Sequence, residues 1–213
     1  LSALRQPEWF PLLNRLETFD LSEFGYISIH APSQFELHWE RELLKSLENL
    51  KARKYPVVVH PDAITDFAGW RQLGSMVCVE NMDKRKPIGR TAEDLQRIFD
   101  QLPEAQLCFD IGHAQQFDPS MTEAYLILTR LGGRLRQVHL SEVNTRSKHD
   151  VISRISILAF REVAHLIPEE IPIILETPTP ENGLAKEIEN ARSALPVSAA
   201  ARNPALGGLA WQF

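Results

Sequence analysis

The chain has 213 residues, of which 44% are hydrophobic and 24% are charged, and it carries a formal net charge of -5. These proportions are typical of one globular domain with a sizeable core, or at most two small domains. The negative balance argues against broad non-specific binding of nucleic acid. Both cysteines, Cys78 and Cys108, lie inside apolar runs, which indicates reduced core thiols and a cytoplasmic protein. No apolar run is long enough to cross a membrane.

Strands and helices are predicted to alternate along the chain. Residues 5–17 have apolar side chains at helical spacing and form the first predicted helix. Six apolar runs follow as predicted strands, at 24–31, 55–60, 76–80, 106–110, 135–140 and 172–176. Further helices are predicted at 39–52, 66–73, from 91 onward, 120–131, 153–166 and 181–194. The stretch 196–213 has little periodicity and is predicted to be an irregular tail to a domain formed by residues 1–195.

This alternation is typical of βαβ units around a parallel sheet. An open doubly wound sheet usually has a glycine-rich turn after its first strand, and His30-Ala31-Pro32 is not such a turn. The predicted fold class is therefore α/β, a TIM (β/α)₈-type barrel. About six strand–helix units are visible where eight are expected, so an incomplete barrel that lacks two strands at one end is predicted.

Each predicted strand ends on a residue that can bind a metal ion or transfer a proton. The carboxyl ends of parallel strands meet at one face of a barrel, so six side chains are expected to lie together there: His30, His60, Glu80, Asp110, His139 and Glu176. Singly, each has an ordinary structural explanation; Asp110, for example, could cap the following turn. Six in succession favour a metal site, in which His30 and His60 could hold a second ion that shares Glu80. The mixture of carboxylates and imidazoles suits Mn²⁺ or Zn²⁺, with Mg²⁺ or Co²⁺ as alternatives.

Two further groups are expected to contact the substrate near this site. His113 and His149 are predicted to lie in loops above the same rim. The basic loop 84–90 follows the third strand, and its Lys84 and Arg85 could bind a substrate phosphate. A solvated loop is the ordinary explanation for such a run of charges.

These motifs resemble the xylose isomerase-like barrels, a superfamily that includes endonuclease IV and the sugar epimerases. The resemblance runs from about residue 26 to residue 178. It is carried by Ile29-His30-Ala31-Pro32, Val59-His60-Pro61, Val79-Glu80-Asn81, Phe109-Asp110-Ile111-Gly112-His113, Val138-His139-Leu140 and Leu175-Glu176-Thr177-Pro178. It implies that the first strand seen here is the third of the barrel, so that the first two strands are missing and helix 5–17 is the second helix.

For the epimerases and ketose isomerases, the resemblance implies that one divalent metal is bound by Glu80, Asp110, His139 and Glu176. Glu80 and Glu176 would then exchange the substrate's proton through an enediolate while the metal stabilises the developing oxyanion. His113 would contact a substrate oxygen.

In endonuclease IV, the same frame holds three zinc ions and hydrolyses a phosphodiester. The resemblance implies that the first ion would be held by His30, His60 and Glu80, with Glu80 bridging to the second. The third would use His113, His149 and an aspartate at the position of Ser147. A hydroxyl is a poor zinc ligand beside a carboxylate, so this difference argues against a three-zinc nuclease.

The favoured hypothesis is therefore a metal-dependent isomerase or epimerase of a small, sugar-like hydroxy-carbonyl compound, with Glu80 and Glu176 as catalytic residues. A metal-dependent phosphodiester hydrolase related to the apurinic-site endonucleases is one alternative, and a catalytically silent metal-binding barrel is another. A small molecule is expected as the partner rather than nucleic acid, no membrane association is expected, and a homodimer is a reasonable expectation.

Overall fold

The computed structural model describes residues 1–3, 5–16 and 18–196. The predicted tail, 196–213, lies outside these residues except for Pro196. The boundary between a domain of residues 1–195 and this tail therefore stays a prediction.

The described residues contain one six-stranded parallel sheet and one short antiparallel pair. The sheet strands are β1 Ile29–His30, β2 Val57–Val59, β3 Val77–Glu80, β4 Gln106–Asp110, β5 Leu135–Leu140 and β8 Ile173–Leu175, adjacent in that order. The antiparallel pair is β6 Glu142–Val143 with β7 His149–Asp150. The six predicted strands are confirmed, and they curl into a half-barrel with helices between them. The fold is an incomplete α/β TIM barrel.

Eight α-helices of the described residues connect and flank these strands. They are α1 Trp9–Leu16, α2 Glu40–Glu48, α3 Phe67–Arg71, α4 Ala92–Gln101, α5 Ile111–Phe117, α6 Thr122–Leu131, α7 Arg154–Ala164 and α8 Leu184–Ala194. Thr91 caps α4, because its hydroxyl accepts a hydrogen bond from the backbone N–H of Asp94 at 3.0 Å. Ser153 caps α7 in the same way.

The edge of the sheet beyond β1 is partly covered by the first three residues of the chain. Ser2 bridges His30 in parallel, and the backbone N–H of His30 donates to the carbonyl of Leu1 at 2.8 Å. These residues precede α1 and lie where the preceding strand of a barrel would pair. This single bridge covers the edge of β1 at His30.

A helix that the sequence analysis did not predict begins directly after β4. His113 lies in the first turn of α5, and His149 lies in β7, so the prediction that both occupy loops is wrong. The helix starts here because Asp110 caps it, its Oδ1 accepting from the backbone N–H of His113 at 2.6 Å. Gly112 lets α5 lie against the end of β5, since a Cβ at that position would stand 2.4 Å from the carbonyl oxygen of Ser141.

The curled sheet separates two apolar layers of different size. Its outer face packs against the helices, and outward residues such as Val79 and Phe109 belong to the large core of the protein. Its inner face carries a small cluster formed by Val58, Cys78 and Cys108. The inner layer thus leaves room for polar side chains at the carboxyl edge of the strands.

Candidate metal centre

The candidate ligands continue the inner face of the sheet toward the carboxyl ends of its strands. Side chains two residues apart in a strand share a face, and in β2, β3 and β4 a rim residue follows the small inner cluster at this spacing. The structure brings all six predicted strand-end side chains to this rim: His30, His60, Glu80, Asp110, His139 and Glu176.

Glu80 lies at the centre of the group, with its side chain 1% exposed. Its Oε2 is 3.2 Å from Nε2 of His30 and 3.0 Å from Nε2 of His60. Its Oε1 is 2.9 Å from Nδ1 of His139. One carboxylate therefore faces two separate sets of imidazoles, one through each oxygen.

A second cluster extends from Glu80 across the rim. Ligand atoms of Glu80, Asp110, His139 and Glu176 all lie within 4.8 Å of one another. Nδ1 of His139 is 3.1 Å from Oε1 of Glu176. Oδ2 of Asp110 is buried and has no hydrogen-bond partner among the described residues, so its lone pairs are open to a cation.

Asp110 also belongs to a third cluster, with His113 and His149, whose ligand atoms lie equally close together. Ser147, two residues before His149, has its hydroxyl engaged, because that oxygen accepts from the amide nitrogen of Gln116 at 2.6 Å. The carboxylate of the third cluster therefore comes from Asp110 and not from position 147.

Three histidines of these clusters form a hydrogen bond from Nδ1 to a carbonyl or a hydroxyl group. The partners of Nδ1 are the Ala31 carbonyl for His30 at 2.7 Å, the Asn81 carbonyl for His113 at 3.0 Å and the Ser141 hydroxyl for His149 at 2.7 Å. A carbonyl only accepts, so the neutral rings of His30 and His113 carry their proton on Nδ1 and their lone pair on Nε2. Metal-binding histidines usually have such an outer partner, which sets the orientation of the ring.

Burial and charge pairing shift the pKa values of the site in opposite directions. Burial alone would raise the pKa of Glu80 and of Glu176, but the neighbouring imidazoles outweigh it, so the pKa of Glu80 lies well below its usual range and that of Glu176 falls to about 2. Burial opposes the charged form of His139, yet the surrounding negative groups raise its pKa well above the ordinary value. Burial raises the pKa of Asp110.

The donor set fits a divalent cation. Carboxylate oxygens and imidazole nitrogens are ligands that Zn²⁺ and Mn²⁺ accept, and close carboxylates repel one another unless protons or a cation lie among them. Cys108 lies within reach of Glu80 and His139, but burial raises the pKa of its thiol to about 12, so it stays protonated at neutral pH and is a poor ligand.

Comparison with known proteins agrees with this architecture. Residues 64–194 match the family model of the xylose isomerase-like TIM barrel. The chain belongs to this family. A search of the curated proteins finds no match.

Among solved structures, this xylose isomerase-like barrel is similar to endonuclease IV from Thermus thermophilus. The TM-score is 0.60 and the sequence identity 22%, with 80% of this chain and 76% of that chain covered. At this identity the likeness shows the fold alone. The match to the family model confirms the superfamily expected from the strand-end motifs.

Within this barrel, two cations of the basic loop after β3 form ion pairs with nearby carboxylates. Arg85 pairs with Asp83, with Nη2 and Oδ2 2.7 Å apart, and Lys86 pairs with Asp62 at 2.7 Å. Lys84 is exposed. The role of Lys84 and Arg85 as substrate contacts stays a prediction.

Two polar residues that the sequence analysis did not single out support the ligands. Asn81 clamps β4, because its amide donates to the carbonyl of Asp110 and accepts from the N–H of the same residue, each at 2.8 Å. Gln137 lies beneath His139, with its amide nitrogen 2.7 Å from Nε2 of that ring. Their positions in the sequence could have indicated this supporting role. Asn81 directly follows Glu80, and Gln137 stands two residues before His139 in one strand.

Proposed function

We propose that this xylose isomerase-like barrel hydrolyses phosphodiesters with at least two divalent metal ions bound at the carboxyl ends of its strands. The supporting observation is the position of Glu80, whose two oxygens face different sets of imidazoles. A carboxylate placed in this way can bridge two cations, and a pair of adjacent cations is a common arrangement in nucleases and phosphatases.

The two sites would share Glu80. The first would be formed by His30, His60 and Glu80, and the second by Glu80, Asp110, His139 and Glu176. Zn²⁺ suits the first because two of its three ligands are imidazoles, and Zn²⁺ or Mn²⁺ suits the second. Bound ions supply Lewis-acid polarisation of the phosphoryl oxygens and lower the pKa of water.

Glu176 and His149 are placed to handle the protons of the reaction. Glu176 is the most exposed of the six strand-end residues, at 24%, so solvent and substrate can reach it. Its Oε2 lies 3.8 Å from Nε2 of His149. Glu176 would orient the attacking water, which would form the new P–O bond and release its proton to solvent. The bond to the leaving oxygen would break as His149 donates a proton to that oxygen.

Cations on two neighbouring rim segments favour an anionic substrate. One segment is the loop after β3, and the other is the turn between β6 and β7. Gln116 of α5 joins them, because its amide oxygen accepts from the backbone N–H of Lys84 at 3.1 Å and its amide nitrogen donates to Ser147. The exposed cations of the two segments are Lys84, Arg85, Arg146 and Lys148. Arg85 is balanced by Asp83, so the positive charge of these segments comes mainly from Lys84, Arg146 and Lys148, although the chain as a whole is negative.

Cleavage of duplex DNA with a single abasic site tests the proposal, and undamaged duplex is the control substrate. The metal content of protein purified without chelators is measured first, and two or more equivalents are expected. The metal-loaded protein should nick the abasic duplex, and Glu176→Gln should abolish nicking while keeping the fold. The proposal is contradicted if metal-loaded wild type cuts neither this duplex nor a simple aryl phosphodiester.

A ketose isomerase or epimerase is the second candidate. Glu80 and Glu176 both lie beside His139, as the two carboxylates of an enediolate mechanism would, and Ser147 stands where the resemblance to endonuclease IV implies an aspartate. The difficulty is that both oxygens of Glu80 are engaged by imidazoles, which leaves neither free to exchange a proton with a substrate.

Exchange of deuterium from heavy water into a panel of ketoses separates the two candidates. Exchange by the wild type that is lost in Glu176→Gln would favour the isomerase. A protein that binds metal but neither cuts phosphodiesters nor exchanges protons would be the silent barrel.

The remaining expectations concern location and assembly. Cys78 and Cys108 are both free and buried, in keeping with the cytoplasmic location that we propose. A homodimer likewise stays a proposal, to be tested by light scattering. In the part of the chain that the structure describes, none of the helices has the length and apolar character needed to cross a bilayer.

A further inference from the structure

His139 has an outer partner of a different kind from those of His30 and His113. Backbone carbonyls accept from the far nitrogens of His30 and His113. The far nitrogen of His139, Nε2, instead lies 2.7 Å from the amide nitrogen of Gln137. An amide nitrogen only donates, so Nε2 of His139 is an acceptor in this arrangement and the ring proton is on Nδ1, facing the carboxylates.

Gln137 is held in place by Tyr26 and by an irregularity of β5. The hydroxyl of Tyr26 donates to Oε1 of the fully buried Gln137 at 2.6 Å. The pairing of β4 with β5 skips Arg136, so that Leu135 belongs to the outer core whereas Gln137 turns to the inner face. The guanidinium of Arg136 lies 5.6 Å from the centre of the Tyr26 ring. The amide oxygen of Gln137 is therefore held by Tyr26, and its amide nitrogen contacts His139.

A cation on Nδ1 of His139 requires a different partner at Nε2. When one imidazole nitrogen binds a metal, the other carries the proton and donates it. An amide N–H₂ and a ring N–H would then face each other in a buried place, which leaves a donor unsatisfied.

Turning the amide of Gln137 by half a rotation removes this conflict. Oε1 then accepts from Nε2–H of His139, and the amide nitrogen donates to the hydroxyl of Tyr26, which can accept as well as donate. Each group has a partner in either orientation. The chain Tyr26–Gln137–His139 can thus serve both protonation patterns of the ring without any movement of the backbone.

We propose that Gln137, supported by Tyr26, is a positioning residue that makes His139 a metal ligand by presenting its amide oxygen to Nε2–H. This inference rests on the metal centre proposed above. It means that the affinity of the second cluster depends on a side chain that does not touch the ion.

The test is the affinity for Co²⁺ and Zn²⁺, measured by competition with a chromophoric chelator. Gln137→Leu is similar in size and offers no acceptor, and it is expected to bind about 10–100-fold more weakly than the wild type. Gln137→Glu always presents an oxygen and is expected to bind more tightly than Gln137→Leu. Tyr26→Phe should weaken binding less than Gln137→Leu, because the turned amide loses its support but keeps its oxygen on His139.

A control separates this role from a structural one. Ser46→Ala removes a buried hydroxyl that accepts from the indole N–H of Trp9, outside the metal centre, and it should lower stability without changing metal affinity. If Gln137 were only structural, the buried charge of Gln137→Glu would make it the poorer binder as well as the less stable protein.

Three outcomes would overturn the inference. One is equal affinity of the wild type and Gln137→Leu, and another is weaker binding by Gln137→Glu than by Gln137→Leu. The third outcome applies if Gln137→Leu does not fold. It is an affinity of Tyr26→Phe equal to that of the wild type. A wild type that takes up no metal would instead contradict the metal centre itself, and this inference with it.

Discussion

The two faces of the curled sheet are formed by the same strands. The outer face packs into the large hydrophobic core, whereas the inner face carries the candidate metal ligands. The outer face meets the helices in a core that includes Trp9 and Phe109. The inner face has three small residues, Val58, Cys78 and Cys108, before the side chains become carboxylates and imidazoles. Burial of apolar area is the dominant favourable term in folding, so the outer face can stabilise a barrel whose inner face concentrates charge.

The two faces should respond differently to substitution. Buried ionic groups commonly stabilise a fold less than apolar side chains of the same volume would. Changes on the outer face should therefore lower the free energy of unfolding, whereas changes at the rim should mainly alter metal affinity.

The largest effect on stability is expected from Phe109→Ala. Phe109 is fully buried on the outer face of β4, and loss of its ring leaves a cavity that should lower the free energy of unfolding by about 3–5 kcal/mol. Cys78→Ala removes one sulfur from the inner face and should cost about 1 kcal/mol. Urea denaturation of the metal-free proteins gives both values. A smaller loss for Phe109→Ala than for Cys78→Ala would contradict the conclusion that the outer face contributes most of the stability.

The largest effect on the rim is expected from Glu80→Gln. The amide keeps the shape of the side chain but loses the charge shared by both proposed sites, so metal affinity should fall by more than the about 10–100-fold that loss of an outer partner costs. Calorimetric titration with Zn²⁺ measures this loss.

A buried glutamate of the outer layer provides the matched control. Glu40, 3% exposed, accepts from the indole N–H of Trp70 at 2.7 Å. Glu40→Gln should reduce stability and leave metal uptake intact. Equal metal uptake by Glu80→Gln and Glu40→Gln would refute the central place given to Glu80.

The fold and the rim could be predicted because they depend on local patterns. Apolar runs that each end on a ligand-type residue specify parallel strands and a common rim, whatever the loops do. The supporting residues could not be predicted, because they depend on register and distance. Gln137 faces inward through the extra residue at Arg136, and its partner Tyr26 is 111 residues away in the chain. The helix at His113 was missed because Asp110 was expected to cap at most a turn, whereas it caps a helix of seven residues.

Metal binding should strengthen as the pH rises. The pKa of His139 is raised well above 6.5, and that of His30 is also raised, so protons compete with a cation at these rings around neutral pH. Glu176, with a pKa of about 2, is ionised throughout this range and contributes no such competition. Zinc titrations at several pH values should show affinity increasing until His139 has lost its proton, with protons released on binding.

In the metal-free protein, the raised pKa of His139 should make folding stability decrease as the pH rises, in contrast to metal affinity. The raised pKa of His139 contributes stability that is complete below 6.5 and is lost as the pH rises through its folded value. The lowered pKa of Glu176 contributes stability that is present above 4.5 and is lost as the pH falls toward about 2. Melting temperatures of metal-free and metal-loaded protein should therefore diverge as the pH rises above 6.5, and parallel curves would contradict the assignment of these residues as ligands.

The smallest expected effect concerns Ser147 and the third cluster. Ser147 has a φ of 55°, in the left-handed region that aspartate and asparagine adopt more readily than most residues, so Ser147→Asp fits the backbone. The new carboxylate, two residues before His149, should tighten binding of a further Zn²⁺ by roughly tenfold, equivalent to about 1.4 kcal/mol. Ser147→Asn adopts the same backbone without the charge and should leave the affinity unchanged.

Comparison of Ser147→Asp with Ser147→Asn also tests whether a single rim residue controls the number of metal ions bound. Gln116 donates to the hydroxyl of Ser147 at 2.6 Å and could retain a carboxylate at that position. If the two variants bind zinc with equal affinity, the new carboxylate has stayed hydrogen-bonded to Gln116. Asp110 alone then supplies the negative charge of the third cluster. If only Ser147→Asp binds more tightly, one rim residue decides the number of ions held, while the outer core that stabilises the barrel is unchanged.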